Sequence, residues 1–430
     1  MNGLTRIMRR GGICGTPQIR KLKSCLVLSV ALAALASPRA IQADVVTDWN
    51  QITLDTQAAV SGGIRTPPAA RALAMVHLAI FDSVNAIERR FTPYLVEPLA
   101  DPGASPEAAA VAAAHAVLVA LYPSRKDKLD EDYDSSLAAI PDGPAKDEGI
   151  AVGEAVADAI LELRSGDGSA DTLPYTVSPG PGIYQPDPTA LFVAWGQVTP
   201  FALESGAQFR AEGPPALASK EYAADYLEVQ SVGALNSPTR TPDQTEAARF
   251  WFENSQITWN NIAGIAAEEN SLADNARLFA LLNLAGVDTT IAVMDTKYTF
   301  NFWRPREAIR AGDTDGNELT TADPTWTPLT YIGVHPDYVS QHSAYGQAAA
   351  TVLARFFGTD DIPFSITTST APGGVVRDYQ SFSEAAVENM ESRVWLGAHF
   401  RTACKHAMNQ GKHVAHYVLK HFLRPLDKTP

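Results

Sequence analysis

Residues 66–88, TPPAARALAMVHLAIFDSVNAIE, carry apolar side chains at helical spacing behind a Pro-containing start, and this periodicity recurs along most of the chain. The stretch SPEAAAVAAAHAVLVALYP (105–123) adds an N-cap at Ser105, Pro106 at the first helical position and a stop at Pro123. Similar patterns cover 145–164, 218–232, 242–254, 272–296, 343–357 and 383–423. Period-two alternation is nearly absent, so the expected fold class is all-α. Two segments break the pattern, 166–192 and 311–338, both rich in Gly, Pro, Asp and Thr. Loops that long inside a compact domain usually line a site.

The first forty or so residues read differently. Residues 1–43 contain seven Lys or Arg and no acid, then the apolar run CLVLSVALAALA (Cys25–Ala36), then small residues at Ala34, Ala36, Ala40 and Ala43. That is the pattern of a cleaved export signal. The apolar run falls short of the roughly 20 residues a spanning helix needs, so no membrane anchor is expected. The mature domain is then 44–430, delivered to the periplasm or beyond. Removing seven positive charges and no negative ones moves the net charge from −14 to −21. So acidic a chain disfavours nucleic acid and anionic lipid as partners, and makes an internal cluster of cations conspicuous. Of three cysteines only Cys404 lies beyond the presequence, so no internal disulfide is expected and stability must come from the core.

Such cations occur in three places. In KYTFNFWRPREAIR (297–310), Lys297 and Arg304 are seven apart. On an unbroken helix that is a rotation of about 700°, which puts both on one face two turns apart, within reach of one anion. A solvated basic face has the same spacing, but Phe300, Phe302 and Trp303 suggest burial. In HPDYVSQHSAYGQ (335–347), Ser340 is the expected N-cap of a helix, leaving the amides of Gln341 and His342 to attract an anion. In SRVWLGAHFRTACKHAMNQGKHVAHYV, Arg393 and His399 would face different ways on an unbroken helix, and a break at Gly397 would turn both toward one pocket. His406, His413, His416 and His421 suit one packed or surface helix face better than a metal site, because no Glu-x-x-His or Cys cluster accompanies them. His77 and His115, within Ala/Val-rich helices, are expected as hydrogen-bonded core histidines. One Lys, two Arg, a helix start and two His match a tetrahedral oxyanion such as phosphate or vanadate, with His342 beside it to move protons.

Here the sequence resembles the vanadium-dependent haloperoxidases, which share their site with type 2 phosphatidic acid phosphatases and bacterial acid phosphatases. Lys297 with Arg304-Pro305 and Ser392-Arg393 with His399 match two parts of the shared signature fully. Ser340–His342 matches the Pro-Ser-Gly-His part partly, with Val339 and Gln341 in place of Pro and Gly. The resemblance implies two packed four-helix bundles, with the site in the C-terminal half (about 242–425). It implies His399 as the vanadium ligand, or the nucleophile of a phosphatase, and His342 as the acid–base group. Lys297, Arg304, Arg393, the Ser340 hydroxyl and the Gln341 amide would hold the oxyanion. The Asp that phosphatases often place four residues after the last His is Ala403 here.

The reaction implied is oxidation of halide by hydrogen peroxide with vanadate as cofactor, an organic acceptor taking the halogen. The aromatic residues in FNFWRP resemble the haloperoxidase branch. A phosphomonoesterase and a non-catalytic oxyanion binder are the alternatives on the same scaffold. In the resemblance, the position of His335 looks like the one that carries a second histidine in algal bromoperoxidases and an aromatic residue in a fungal chloroperoxidase; a bland loop histidine is the alternative. As an imidazole titrating near neutral pH it would favour bromide and iodide over chloride.

Overall fold

The computed structural model describes residues 44–60, 65–96 and 98–426. The expected export signal at 1–43 lies outside them. The helices are α1 (Val45–Ala59), α2 (Thr66–Glu88), α3 (Pro106–Leu121), α4 (Lys126–Ala138), α5 (Pro144–Arg164), α6 (Lys220–Val232) and α7 (Pro242–Phe250). They continue as α8 (Ser255–Ala266), α9 (Leu272–Phe300), α10 (Pro305–Arg310), α11 (Gln341–Phe357), α12 (Phe382–Trp395) and α13 (Arg401–His421). One short antiparallel hairpin, β1 (Phe364–Ile366) with β2 (Arg377–Tyr379), pairs Phe364 with Tyr379. The fold is all-α, as the periodicity requires.

Two four-helix groups share one member. Helices α2, α3 and α5 pack together with α9 against α2, and α9 also packs on α11 and α13, with α12 against α11. Near its start α9 stacks Phe279 on His77 of α2, ring centroids 5.0 Å apart. Near its end, Gln410 of α13 donates through Nε2 to Ala292 O and Thr296 Oγ1. Helices α2 and α9 are long and apolar enough to cross a membrane, but 94% of the apolar window of each is buried inside the protein, so both are core helices. Helix α13 meets α11 backbone to backbone: a Cβ on Gly411 would lie 2.0 Å from Ala344 O. This close approach carries the segment after Gly397 up to the start of α11.

His77 is the core histidine expected, its Nε2 3.1 Å from Asn50 Oδ1. His115 is hydrogen-bonded, to Asp130, but lies in a half-buried position stacked on Tyr133 rather than in the core.

Candidate active site

Lys297 and Arg304 do converge, but not as one helix face. Helix α9 ends at Phe300 with Asn301 as a left-handed cap (φ 50°), and Pro305 forces the preceding Arg304 into an extended conformation (ψ 161°) at the start of α10. The two side chains therefore meet by gripping the same loop. Lys297 Nζ donates to Pro336 O (2.6 Å) and Asp337 O (2.9 Å), and Arg304 Nε donates to His335 O (2.8 Å). Arg304 also reaches the third segment: its Nη1 donates to Ala398 O at 3.0 Å and lies 3.5 Å from His399 Nε2.

The third segment breaks where Gly397 allows. Helix α12 stops at Trp395, Gly397 has φ 72°, and the amides of Ala398 and His399 both donate to Arg393 O before α13 begins at Arg401. Arg393 and His399 thereby line one cleft with His335, Gln341 and His342. Ser340 caps α11. Its Oγ accepts from Ser343 Oγ at 2.9 Å, which leaves its own hydroxyl proton available to a ligand. His342 sets Nε2 3.1 Å from Glu253 O, in the α7–α8 turn that also receives Arg393 Nη1 on Trp251 O (2.9 Å).

Charge and burial define what this arrangement accepts. Lys297, Arg304 and Arg393 are essentially inaccessible, at 0, 1 and 0% exposure. Nε and Nη2 of Arg393 are buried with no protein partner, and so is Nε2 of Gln341. Unpaired buried donors on a cation are expensive, so this set is built to be completed by an anion. Burial, reinforced by Arg304, takes the Lys297 ammonium well below its ordinary pKa, and burial brings Arg393 down to about 9. Both are consequences of collecting cations in a dry place without their counter-ion.

Asp337 is the residue that sequence reasoning missed. It is fully buried and its Oδ1 lies 2.8 Å from His399 Nδ1. The contact is close yet not aligned as an N–H···O hydrogen bond. This carboxylate, not one at position 403, faces the His399 imidazole. Burial pushes the Asp337 pKa up to about 8, against the pull of Arg304 and Lys297.

His335 corrects an expectation. Its Nδ1 sits 2.7 Å from Arg304 Nη2, which can only donate, so the ring accepts there. Burial first, then Lys297 and Arg304, lower its pKa well below the imidazole range. His335 is thus neutral at neutral pH rather than titrating there. His342 and His399 are lowered in the same way, burial again leading. Among the described residues no cluster of three or more His, Cys, Asp or Glu stands ready for a metal cation. His406 instead lies 2.6 Å from Tyr338 Oη, and His421 stacks on Tyr417.

Fold and site define an all-helical protein with a buried cationic pocket. Residues 34–194 match the vanadium chloroperoxidase N-terminal domain, and residues 277–428 match the second helical-bundle domain of the same enzymes. The chain is 25% identical to the vanadium chloroperoxidase of Curvularia inaequalis over 499 residues, covering 87% of this chain and 81% of that one. The crystal structure of the first bacterial vanadium-dependent iodoperoxidase superposes with a TM-score of 0.76 at 26% identity, covering 89% of this chain and 96% of that one. An apo-type bacterial vanadium-dependent chloroperoxidase shares the fold at 18% identity, TM-score 0.71, covering 86% and 96%. The chain belongs to the vanadium-dependent haloperoxidase family.

Proposed function

We propose that the protein is an exported vanadium-dependent haloperoxidase that oxidises bromide and iodide, more readily than chloride, with hydrogen peroxide. The observation that carries this reading is the three buried cations with unused Arg393 donors: vanadate, tetrahedral and multiply charged, supplies the acceptors they lack. Lys297, Arg304 and Arg393 hold its oxygens, joined by the Ser340 hydroxyl and the Gln341 amide at the start of α11, and His399 is the ligand to the metal. When bound, vanadate supplies the Lewis-acid centre at which peroxide is activated toward halide.

The chain's own groups do the rest. Above its raised pKa of about 8, Asp337 places negative charge behind His399 and so favours a proton on Nδ1, leaving Nε2 free to ligate. His342, held by Glu253 O, is neutral in the cleft and takes a proton from the entering peroxide. His335 accepts from Arg304, fixing that guanidinium across the pocket and giving the halide approach a polar wall where an aromatic ring would make a drier one. The preference for bromide and iodide rests on this residue, and the similarity to an iodoperoxidase supports it. The segment 1–43 delivers the enzyme outside the cytoplasm.

The test is to assay purified protein with and without vanadate for halogenation and for phosphomonoester hydrolysis. Halogenation restored by vanadate and inhibited competitively by phosphate is the expected result. Rapid ester hydrolysis without halide oxidation replaces this reading with the phosphatase one.

A further inference from the structure

The cleft of about 210 Å³ that holds the site has two kinds of wall. Its floor is polar: His335, Gln341, His342, Arg393 and His399. The rest of its lining is mainly apolar, Pro67, Phe192, Phe252, Ile332 and Val334, with Arg65 among the lining residues. Hydrogen peroxide is strongly hydrated and gains nothing from an apolar wall of that kind, and a monatomic halide is too small to cover five such side chains. A flat organic ring both gains from such a wall and is large enough to cover it.

Two phenylalanines carry the argument. Phe252 is 39% exposed although large and aromatic, and it sits between two residues fixed by the site itself. Trp251 O accepts from Arg393, and Glu253 O contacts His342, while the Glu253 carboxylate accepts from Thr258 Oγ1 (2.7 Å) and Ser369 N (2.7 Å). Its ring is therefore presented on a rigid turn. Phe192 adopts φ 64°, a conformation that non-glycine residues hold only where their surroundings impose it. Leu191 N donates to Val334 O, Trp195 N donates to Phe192 O, and the Phe192 and Trp195 rings meet edge to face at 5.7 Å. Both rings line the cleft, Phe192 in a left-handed backbone conformation and Phe252 on the turn that holds the site. Arg65 is exposed, and among the described residues its guanidinium has no ion-pair partner. In a chain of net charge −14, an exposed arginine without an ion-pair partner among the described residues, beside a cationic floor, draws an anionic guest.

We infer that the apolar part of the cleft binds an electron-rich aromatic carboxylate as the halogen acceptor, its ring against Phe192 and Phe252 and its carboxylate toward Arg65. This rests on the haloperoxidase reading and deepens it, because the halogen is then transferred to a bound acceptor rather than released to bulk solvent. For acceptor ArH and halide X⁻ the overall change is X⁻ + H₂O₂ + ArH + H⁺ → ArX + 2 H₂O. Halide gives up two electrons to the peroxide O–O bond, which breaks. At the ring the C–H bond breaks, C–X forms, and the ring proton ends in water.

The experiment uses 4-hydroxybenzoate as probe and the full protein in saturating phosphate, so that the cationic floor is already filled. Titration followed by ligand-observed NMR should show saturable binding. Phe252→Ala should weaken it about tenfold. Arg65→Gln should weaken 4-hydroxybenzoate but not phenol. Both positions are at the surface, and circular dichroism checks that each variant is folded. In turnover with vanadate and bromide, the ratio of brominated products from two competing acceptors should differ from that given by free hypobromous acid. Absence of saturation, affinities unmoved by both substitutions, or a product ratio equal to that of the free reagent each overturns the inference. Triiodide formation by the wild type reports separately on the haloperoxidase reading. If triiodide forms and 4-hydroxybenzoate does not bind, the acceptor site alone fails. If 4-hydroxybenzoate binds as described and no triiodide forms, the site stands and the haloperoxidase reading fails.

Discussion

Asp337 is the carboxylate that the proposed reading assigns to positioning rather than to affinity. It stands 2.8 Å from His399 Nδ1, within a pocket whose other charges are Lys297, Arg304 and Arg393. On the proposed reading Asp337 orients His399 as the ligand, so replacing it by Asn should lower halide-oxidation turnover about 10–100-fold. Above about pH 8, where the wild-type carboxyl is ionised, phosphate binding to the vanadate-free protein should hold or tighten, because a negative charge has been taken away from beside the anion site. Titration calorimetry with phosphate, run beside the turnover assay, separates the two effects, and a parallel loss of both would remove Asp337 from this role. Arg393 is the opposite case. With Nε and Nη2 unpartnered in the protein, Arg393→Ala should cost about 1.5–3 kcal/mol of vanadate or phosphate affinity, the scale of a charge-assisted hydrogen bond. Unchanged affinity would mean the anion binds elsewhere. The cations, Ser340 and the two histidines were legible because their spacing is itself a chemical pattern. Asp337 was not, since its partner lies in another segment and only the loop gripped by Lys297 and Arg304 brings it there.

Among the helices, those with dense apolar periodicity read directly from the chain: the segment expected at 66–88 is α2 to the residue, and Ser105 caps α3 as expected. Helix α4 did not stand out, because only Leu129 and Leu137 of its thirteen residues are buried and the rest are mainly charged or polar. The 297–310 stretch misled in a different way. Its spacing fits one helix, yet Pro305 restrains Arg304, and the resulting break is what aims both cations at the loop. The break at Gly397 is the counterpart in the third segment, and it can be tested. A Cβ there would lie 2.5 Å from Gly233 O and 2.8 Å from Pro328 Cβ, at φ 72°. Gly397→Ala should therefore destabilise the fold by about 2–4 kcal/mol in urea unfolding, from left-handed strain and overpacking together. Any folded fraction should bind phosphate more weakly, since Arg393 and His399 depend on this turn for their common direction. A variant as stable as the wild type would show that the turn tolerates a side chain.

At the scale of the whole molecule, a chain of net charge −14 should gain from mild acidification, as carboxylates neutralise and self-repulsion falls. His77 works against that gain. It is fully buried, its face stacks on Phe279, its Nε2 meets Asn50 Oδ1, and its Nδ1 has no partner. Burial drives its pKa down to about 3 from the ordinary 6.5. The folded state thus keeps the ring neutral where the unfolded state takes up a proton, so stability is full above about pH 6.5 and is lost as pH falls toward 3. The slope from this one group approaches about 1.4 kcal/mol per pH unit. His77→Gln keeps an amide to pair with Asn50 and removes the titration, at the expense of the stack on Phe279. It should be less stable than the wild type near pH 7, and the gap should close by about 2 kcal/mol on going to about pH 5. The site histidines His335, His342 and His399 act in the same direction in both proteins, so they cancel in the comparison. Urea midpoints across that range check the point, and parallel pH profiles for the two proteins would mean that His77 takes its proton inside the folded core.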